Sequence, residues 1–145
     1  METKMSFKIP TTVFGFVLYN LLVVPMLLLN WDASEILHRV AFSIPLPSDA
    51  IWSMAFGEIF ICFVMISIFL EVVRQASGNI AKPQTHMLAL TVFIVSLVEF
   101  LLFKSFGNSF FFIFLLAALI DFVVTWISTS IRARRDIRVT GGNVN

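Results

Sequence analysis

Residues 110–131 read FFFIFLLAALIDFVVTWISTSI, and this stretch decides the fold. It is long enough to cross a bilayer, which takes about 20 apolar residues. Only one ionisable residue, Asp121, interrupts it. Ala117, Asp121, Thr125 and Ser128 recur at the spacing of one helix face. Stripes of small and polar residues line helix–helix contacts rather than lipid. The run is therefore expected to be a membrane helix whose polar side meets other helices.

Three further runs have the same character. The four expected spans are residues 9–29, 51–73, 87–106 and 110–131. Between the second and third lie Ser77, Gly78, Asn79, Lys82 and Pro83, all turn-forming or polar. Between the third and fourth lie only Gly107, Asn108 and Ser109, so those two spans should form a tight antiparallel hairpin. Composition agrees with a membrane class. Hydrophobic residues make up 59% of the 145, charged residues only 13%, and Phe occurs 17 times. Mean hydropathy is +0.94. A soluble domain carries about 25% charged residues, and a chain this short could not bury so much apolar surface in water. The expectation is one all-α membrane domain over residues 1–145: four transmembrane helices in an antiparallel bundle.

The positive residues orient it. Lys4, Lys8, Arg74, Lys82, Arg132, Arg134, Arg135 and Arg138 fall on one side, against Arg39 and Lys104 on the other. Cytoplasmic loops carry the Lys and Arg excess. Both termini are thus expected in the cytoplasm, with residues 132–145 as a cytoplasmic tail and Thr140–Asn145 flexible. Trp31 and Trp52 then mark the outer interface and Trp126 lies near the inner one. The first run has a basic start, but its apolar stretch is longer than a signal peptide's and no A-x-A site follows. It is read as an uncleaved span, kinked by Pro25 near its outer end.

Residues 30–50 form the longest outer loop. Asp32 and Glu35 resemble a capping box. Ile36, Leu37, Val40, Ala41 and Ile44 share a helical face, and Pro45 and Pro47 stop the pattern. This predicts a short amphipathic helix lying as a lid over the outer ends of the spans, with His38 and Arg39 turned towards water or headgroups.

The candidate site is acidic. Glu58, Glu99 and Asp121 lie inside apolar segments with no Lys or Arg at similar depth. A charged side chain at the bilayer centre costs about 2.5–3.5 kcal/mol on insertion scales, and more on others. At 1.5 Å rise per residue, Glu58 and Glu99 each lie about 10 Å in from the outer ends of their spans, with Asp121 slightly deeper. All three are expected in one layer, with Ser96 beside Glu99 and with Asn20, next to Tyr19, facing them from the first span. Ala55, Glu58 and Cys62 should share the inward face of the second span. Arg39 is a candidate partner for Glu58 from the lid. Low dielectric and like charge both disfavour several ionised carboxylates together. Such a layer either binds protons or a cation, or holds helices together through neutral, hydrogen-bonded acids. Glu71, three residues before Arg74, reads as an exposed ion pair of little energetic weight. Arg132, Arg134, Arg135 and Arg138 extend the last helix into the cytoplasm, either to meet anionic headgroups or simply to set topology.

Other chemistry is not signalled. Cys62 is the only cysteine, which excludes a CxxC motif and an internal disulfide. It is expected to be a small buried apolar residue. His38 and His86 fall near segment ends, poorly placed as paired haem ligands. No catalytic triad, phosphate loop, metal-spaced cluster, nucleic-acid motif or internal repeat appears. Net charge is only +1, so no global field draws nucleic acid. No cofactor and no metal is expected.

The segments Pro47-Ser48-Asp49-Ala50-Ile51-Trp52, Gly57-Glu58, Glu71-Val72-Val73-Arg74, Val98-Glu99-Phe100-Leu101-Leu102, Asp121 and Ile131-Arg132-Ala133-Arg134-Arg135-Asp136 together resemble a family of small four-helix inner-membrane proteins from proteobacteria. The resemblance covers most of the chain from Pro47 onward. It implies architecture and location, in the bacterial inner (plasma) membrane, and no activity. It sets Glu58, Glu99 and Asp121 among positions resembling the family's motifs. The first span has no acid, unlike the small multidrug-resistance transporters, whose key glutamate lies there. The leading expectation is a non-enzymatic, multi-pass accessory or oligomerising subunit, with the lipid bilayer, a second copy or another membrane protein as partner. The alternative is a small proton- or cation-coupled transporter using the acidic layer.

Overall fold

The structure is a computed structural model. It describes the backbone of residues 9–77 and 83–141, and the side chains of these residues except 76, 83 and 132–141. The elements run α1 (Thr11–Leu28), α2 (Ala33–His38), β1 (Val40–Pro45), β2 (Ile51–Ala55), α3 (Phe56–Ala76), α4 (Pro83–Leu102), a single 3₁₀ turn (Lys104–Phe106) and α5 (Ser109–Gly141). Four helices are long and apolar enough to cross a membrane: Thr11–Leu28, Phe56–Gln75, Gln84–Leu102 and Ser109–Ile131.

Local chemistry sets the ends. α1 stops in a Schellman motif: Trp31 N–H reaches Met26 O at 2.9 Å, Asn30 N–H reaches Leu27 O at 3.2 Å, and Asn30 adopts φ 54°. Asparagine tolerates the left-handed conformation that this motif needs. α2 starts at Asp32, whose carboxylate accepts the Ser34 N–H at 2.9 Å. α5 starts at Asn108, whose side-chain oxygen accepts the Phe111 N–H at 3.0 Å.

The helices pack by their buried stripes. Thr12, Gly15, Tyr19 and Val23 face inward on α1; Phe60, Val64, Ser67 and Glu71 on α3; Thr85, Ala89, Val92 and Ser96 on α4. On α5 the stripe is Phe111, Phe114, Ala117, Ala118, Asp121 and Thr125. α5 packs against both α3 and α4, and α1 packs against the same two. An aromatic cluster fills one end. Tyr19 lies 5.0 Å from Phe60, 5.8 Å from Phe106 and 4.7 Å from Phe111, ring centre to ring centre. The α4–α5 connection thus folds Phe106 inward as a plug. Gly15 permits close packing: a Cβ there would stand 3.1 Å from the Phe114 ring and 3.5 Å from Val64.

The lid differs from expectation. The helix expected to run to Pro45 ends at His38, and the chain continues into an antiparallel hairpin pairing Phe42 with Met54, Ser43 with Ser53 and Ile44 with Trp52, with a bulge at Ala41. Pro47 and Ser48 make the turn between Leu46 and Asp49, and Asp49 takes φ 60°. β-Branched and aromatic residues favour this pleated surface. Consequently the second span begins at Phe56, not residue 51. The third span begins earlier and ends at Leu102, not residue 106.

Candidate functional site

The three acids do not share a layer. Glu58 stands in the first turn of α3, exposed, and its carboxylate accepts the Ala55 N–H at 2.9 Å. It is a helix cap beside the hairpin, not a mid-span group. Arg39 does not reach it. That guanidinium lies 4.0 Å from Glu35, and the Arg39 carbonyl accepts the Phe56 N–H at 3.2 Å. Cys62 is exposed too, so the inward face of α3 is not the one carrying Glu58 and Cys62.

Glu99 lies in the last turn of α4 and accepts the side-chain amide of Asn20 at 3.3 Å. Asn20 also donates to Phe16 O at 3.2 Å. Both side chains are half-buried. Asp121 instead accepts the hydroxyl of Thr12, near the start of α1. Thr12 and Asn20 are eight residues apart, about 12 Å along α1 at 1.5 Å per residue. Each acid therefore meets its own donor at its own depth. Ser96 is fully buried beside this series, and its hydroxyl has no partner among the described residues.

Asp121 belongs to a polar cluster that sequence reading misplaced. Glu71 is 8% exposed, not a surface residue. Arg74 lies 3.7 Å from it, and the Gln75 amide donates to it at 3.3 Å. Ser128 donates to Gln75 Oε1 at 2.5 Å, tying α5 to α3. Thr11 donates to Ser67 O at 2.9 Å, tying α1 to α3. His86 of α4 stacks on Phe122, with ring centres 5.0 Å apart. The available signal for Glu71 was its spacing from Phe60, Val64 and Ser67, one continuous helical stripe.

Two cavities flank α2. One of about 460 Å³ is lined by apolar side chains of α1, α2 and α3, among them Leu22, Met26, Leu37, Ile59 and Phe63. The other, about 570 Å³, is polar, with Asn30, Asp32, Ser34, Lys104 and Asn108 on its walls. Among the described residues no group of three His, Cys, Asp or Glu is placed to hold a metal ion. The α5 backbone is helical past the span through Gly141. The side chains of Arg132, Arg134, Arg135 and Arg138 lie outside the described residues.

With four such helices, two of them joined by a carboxylate–carboxamide contact inside the spans, the chain has the pattern of a multi-pass membrane protein. Comparison with family models, with curated proteins and with solved structures finds no match.

Proposed function

We propose that the chain is a multi-pass protein of the bacterial inner (plasma) membrane and acts as a non-enzymatic accessory or oligomerising subunit. Its bundle is antiparallel, with both termini cytoplasmic, on the positive-residue asymmetry. The hairpin end then faces outward, and Arg132, Arg134, Arg135 and Arg138 stand at the cytoplasmic headgroups or set the topology.

One observation carries the association reading. Asn20 and Glu99 bond to each other within the spans yet remain half-buried at the α1–α4 edge. Carboxamides and carboxylic acids left partly open within a membrane join helices by hydrogen bonds, each worth about 0.6–2 kcal/mol. A second copy of the chain is the partner of first choice.

The test is native mass measurement of the purified protein in lipid nanodiscs, beside in-membrane crosslinking at the α1–α4 edge. The wild type is expected as a dimer or higher species, and the Asn20→Leu/Glu99→Leu pair as monomer. A wild type that is strictly monomeric, with no co-purifying subunit, counts decisively against the proposal.

A further inference from the structure

The opposite end of the bundle, where α1 begins, holds a polar cluster that lateral association does not use. At its centre is Asp121, only 2% exposed. One carboxyl oxygen accepts the Thr12 hydroxyl. The other, Oδ1, is buried with no partner among the described residues. An ionised carboxylate has about four lone-pair sites to fill. Here the structure fills one.

The neighbours make the shortage worse. From α1 comes Thr12, which carries no charge. From α3 comes Glu71, a second buried acid at 8% exposure. Glu71 is the better served of the two acids, with Arg74 at 3.7 Å and the Gln75 amide at 3.3 Å. From α4 comes His86, whose ring lies against Phe122 and whose Nδ1 is also buried with no partner among the described residues. Among the described residues Asp121 makes no ion pair of its own; the cation at this end sits on Glu71. Burying an unpaired charge is far more costly than burying a neutral polar group.

We propose that Asp121 is a proton-binding site: the proton rides on Oδ1, and exchange with the aqueous phase runs past Glu71 and Arg74. Thr12 positions the carboxyl through the other oxygen. Arg74 and Gln75 both engage the Glu71 carboxylate, while no described cation or amide engages Asp121. Release leaves the Asp121 carboxylate behind and delivers the proton to water on the Arg74 side, where that side chain is half-exposed. The site does not depend on the Asn20–Glu99 contact, so either proposal survives the failure of the other.

Infrared difference spectra between acidic and alkaline buffer, on the full-length protein in lipid vesicles, test this. The wild type is expected to show a carboxylic-acid carbonyl band that disappears on alkalisation. That band should be missing in Asp121→Asn and present in Glu71→Gln. In Thr12→Val, which keeps the carboxyl, its frequency should move because one hydrogen bond is gone. Identical wild-type and Asp121→Asn spectra overturn the proposal. So does a midpoint that follows sodium or potassium concentration at constant ionic strength, since the ligand is then a metal cation. Should Asp121→Asn not fold, an unmoved band in Thr12→Val overturns it equally.

Discussion

The side-chain amide of Asn108 donates to the Tyr19 hydroxyl oxygen at 2.7 Å, across 89 residues of sequence. The same side chain accepts the Phe111 N–H at 3.0 Å, so one residue caps α5 and ties it to α1. Tyr19 is wholly buried, and a buried phenol needs a polar partner. Losing a helix cap costs about 1 kcal/mol. An orphaned buried hydroxyl adds about 1–3 kcal/mol. Asn108→Ala should therefore lower unfolding stability in a fixed detergent by about 2–4 kcal/mol. Tyr19→Phe alone should cost about 1 kcal/mol. In the double variant the losses should fall short of their sum, because the hydroxyl no longer needs the amide. Strict additivity would break the proposed coupling.

Gly57 governs how the lid meets α5. A Cβ on Gly57 would stand 2.6 Å from three ring atoms of Phe110, and Phe110 in turn packs on His38 of α2, ring centres 4.9 Å apart. Gly57→Ala should push the Phe110 ring off His38 and destabilise by about 1–3 kcal/mol, the usual range for overpacking. Hydrogen exchange in α2 should accelerate in that variant. Adding Phe110→Ala removes the clash, so the cost of Gly57→Ala should shrink in that background. An equal cost in both backgrounds would falsify the steric account.

Glu58 and Ser96 separate the acidic layer expected from the arrangement observed. Glu58 caps α3 from an exposed position. Glu58→Ala should cost about 1 kcal/mol, as helix caps do, and leave oligomeric state unchanged in the nanodisc measurement. Ser96 buries a hydroxyl with no partner among the described residues. Ser96→Ala removes a polar group that gains nothing, so stability should hold or rise by up to about 1 kcal/mol. A marked loss at Ser96 would mean that its hydroxyl bonds something in the membrane.

The spans were legible because each is a run of about 20 apolar residues bounded by turn formers. The Ala117–Asp121–Thr125 stripe was legible for the same kind of reason, a strict helical period, and all three residues are buried. The hairpin was not, because Val40, Phe42 and Ile44 also fit a strand, and short apolar runs suit both periods. Turn chemistry at Pro47-Ser48-Asp49, between two apolar runs, was the arbiter overlooked. Counting residues 51–55 as span sets Glu58 at mid-span depth, whereas the span beginning at Phe56 leaves it in the first turn. Depth counted from span ends failed for Glu99 as well, since α4 stops at Leu102. Glu71 was hidden by Arg74: a nearby cation gave it an ordinary surface explanation while its stripe pointed inward.

The hairpin constrains where the hydrocarbon stops. β1 and β2 form a sheet of two strands, so each has an edge of unpaired backbone groups. Hydrocarbon leaves such edges unsatisfied at several kcal/mol per group, and open sheet edges do not occur there. The strands must therefore lie among headgroups or in water. Their apolar side chains favour the headgroup zone: Phe42 and Trp52 pack edge to face with centres 6.0 Å apart, and both remain exposed. Aromatic rings of this kind concentrate at that level. With Trp31→Phe and Trp126→Phe, Trp52 becomes the sole tryptophan of the three. Its fluorescence in vesicles should then be quenched by headgroup-level nitroxide lipids and by aqueous acrylamide, and little by lipids brominated near the chain ends. Strong quenching from the bilayer centre would mean that the hairpin lies within the hydrocarbon and that its edges are covered by a partner.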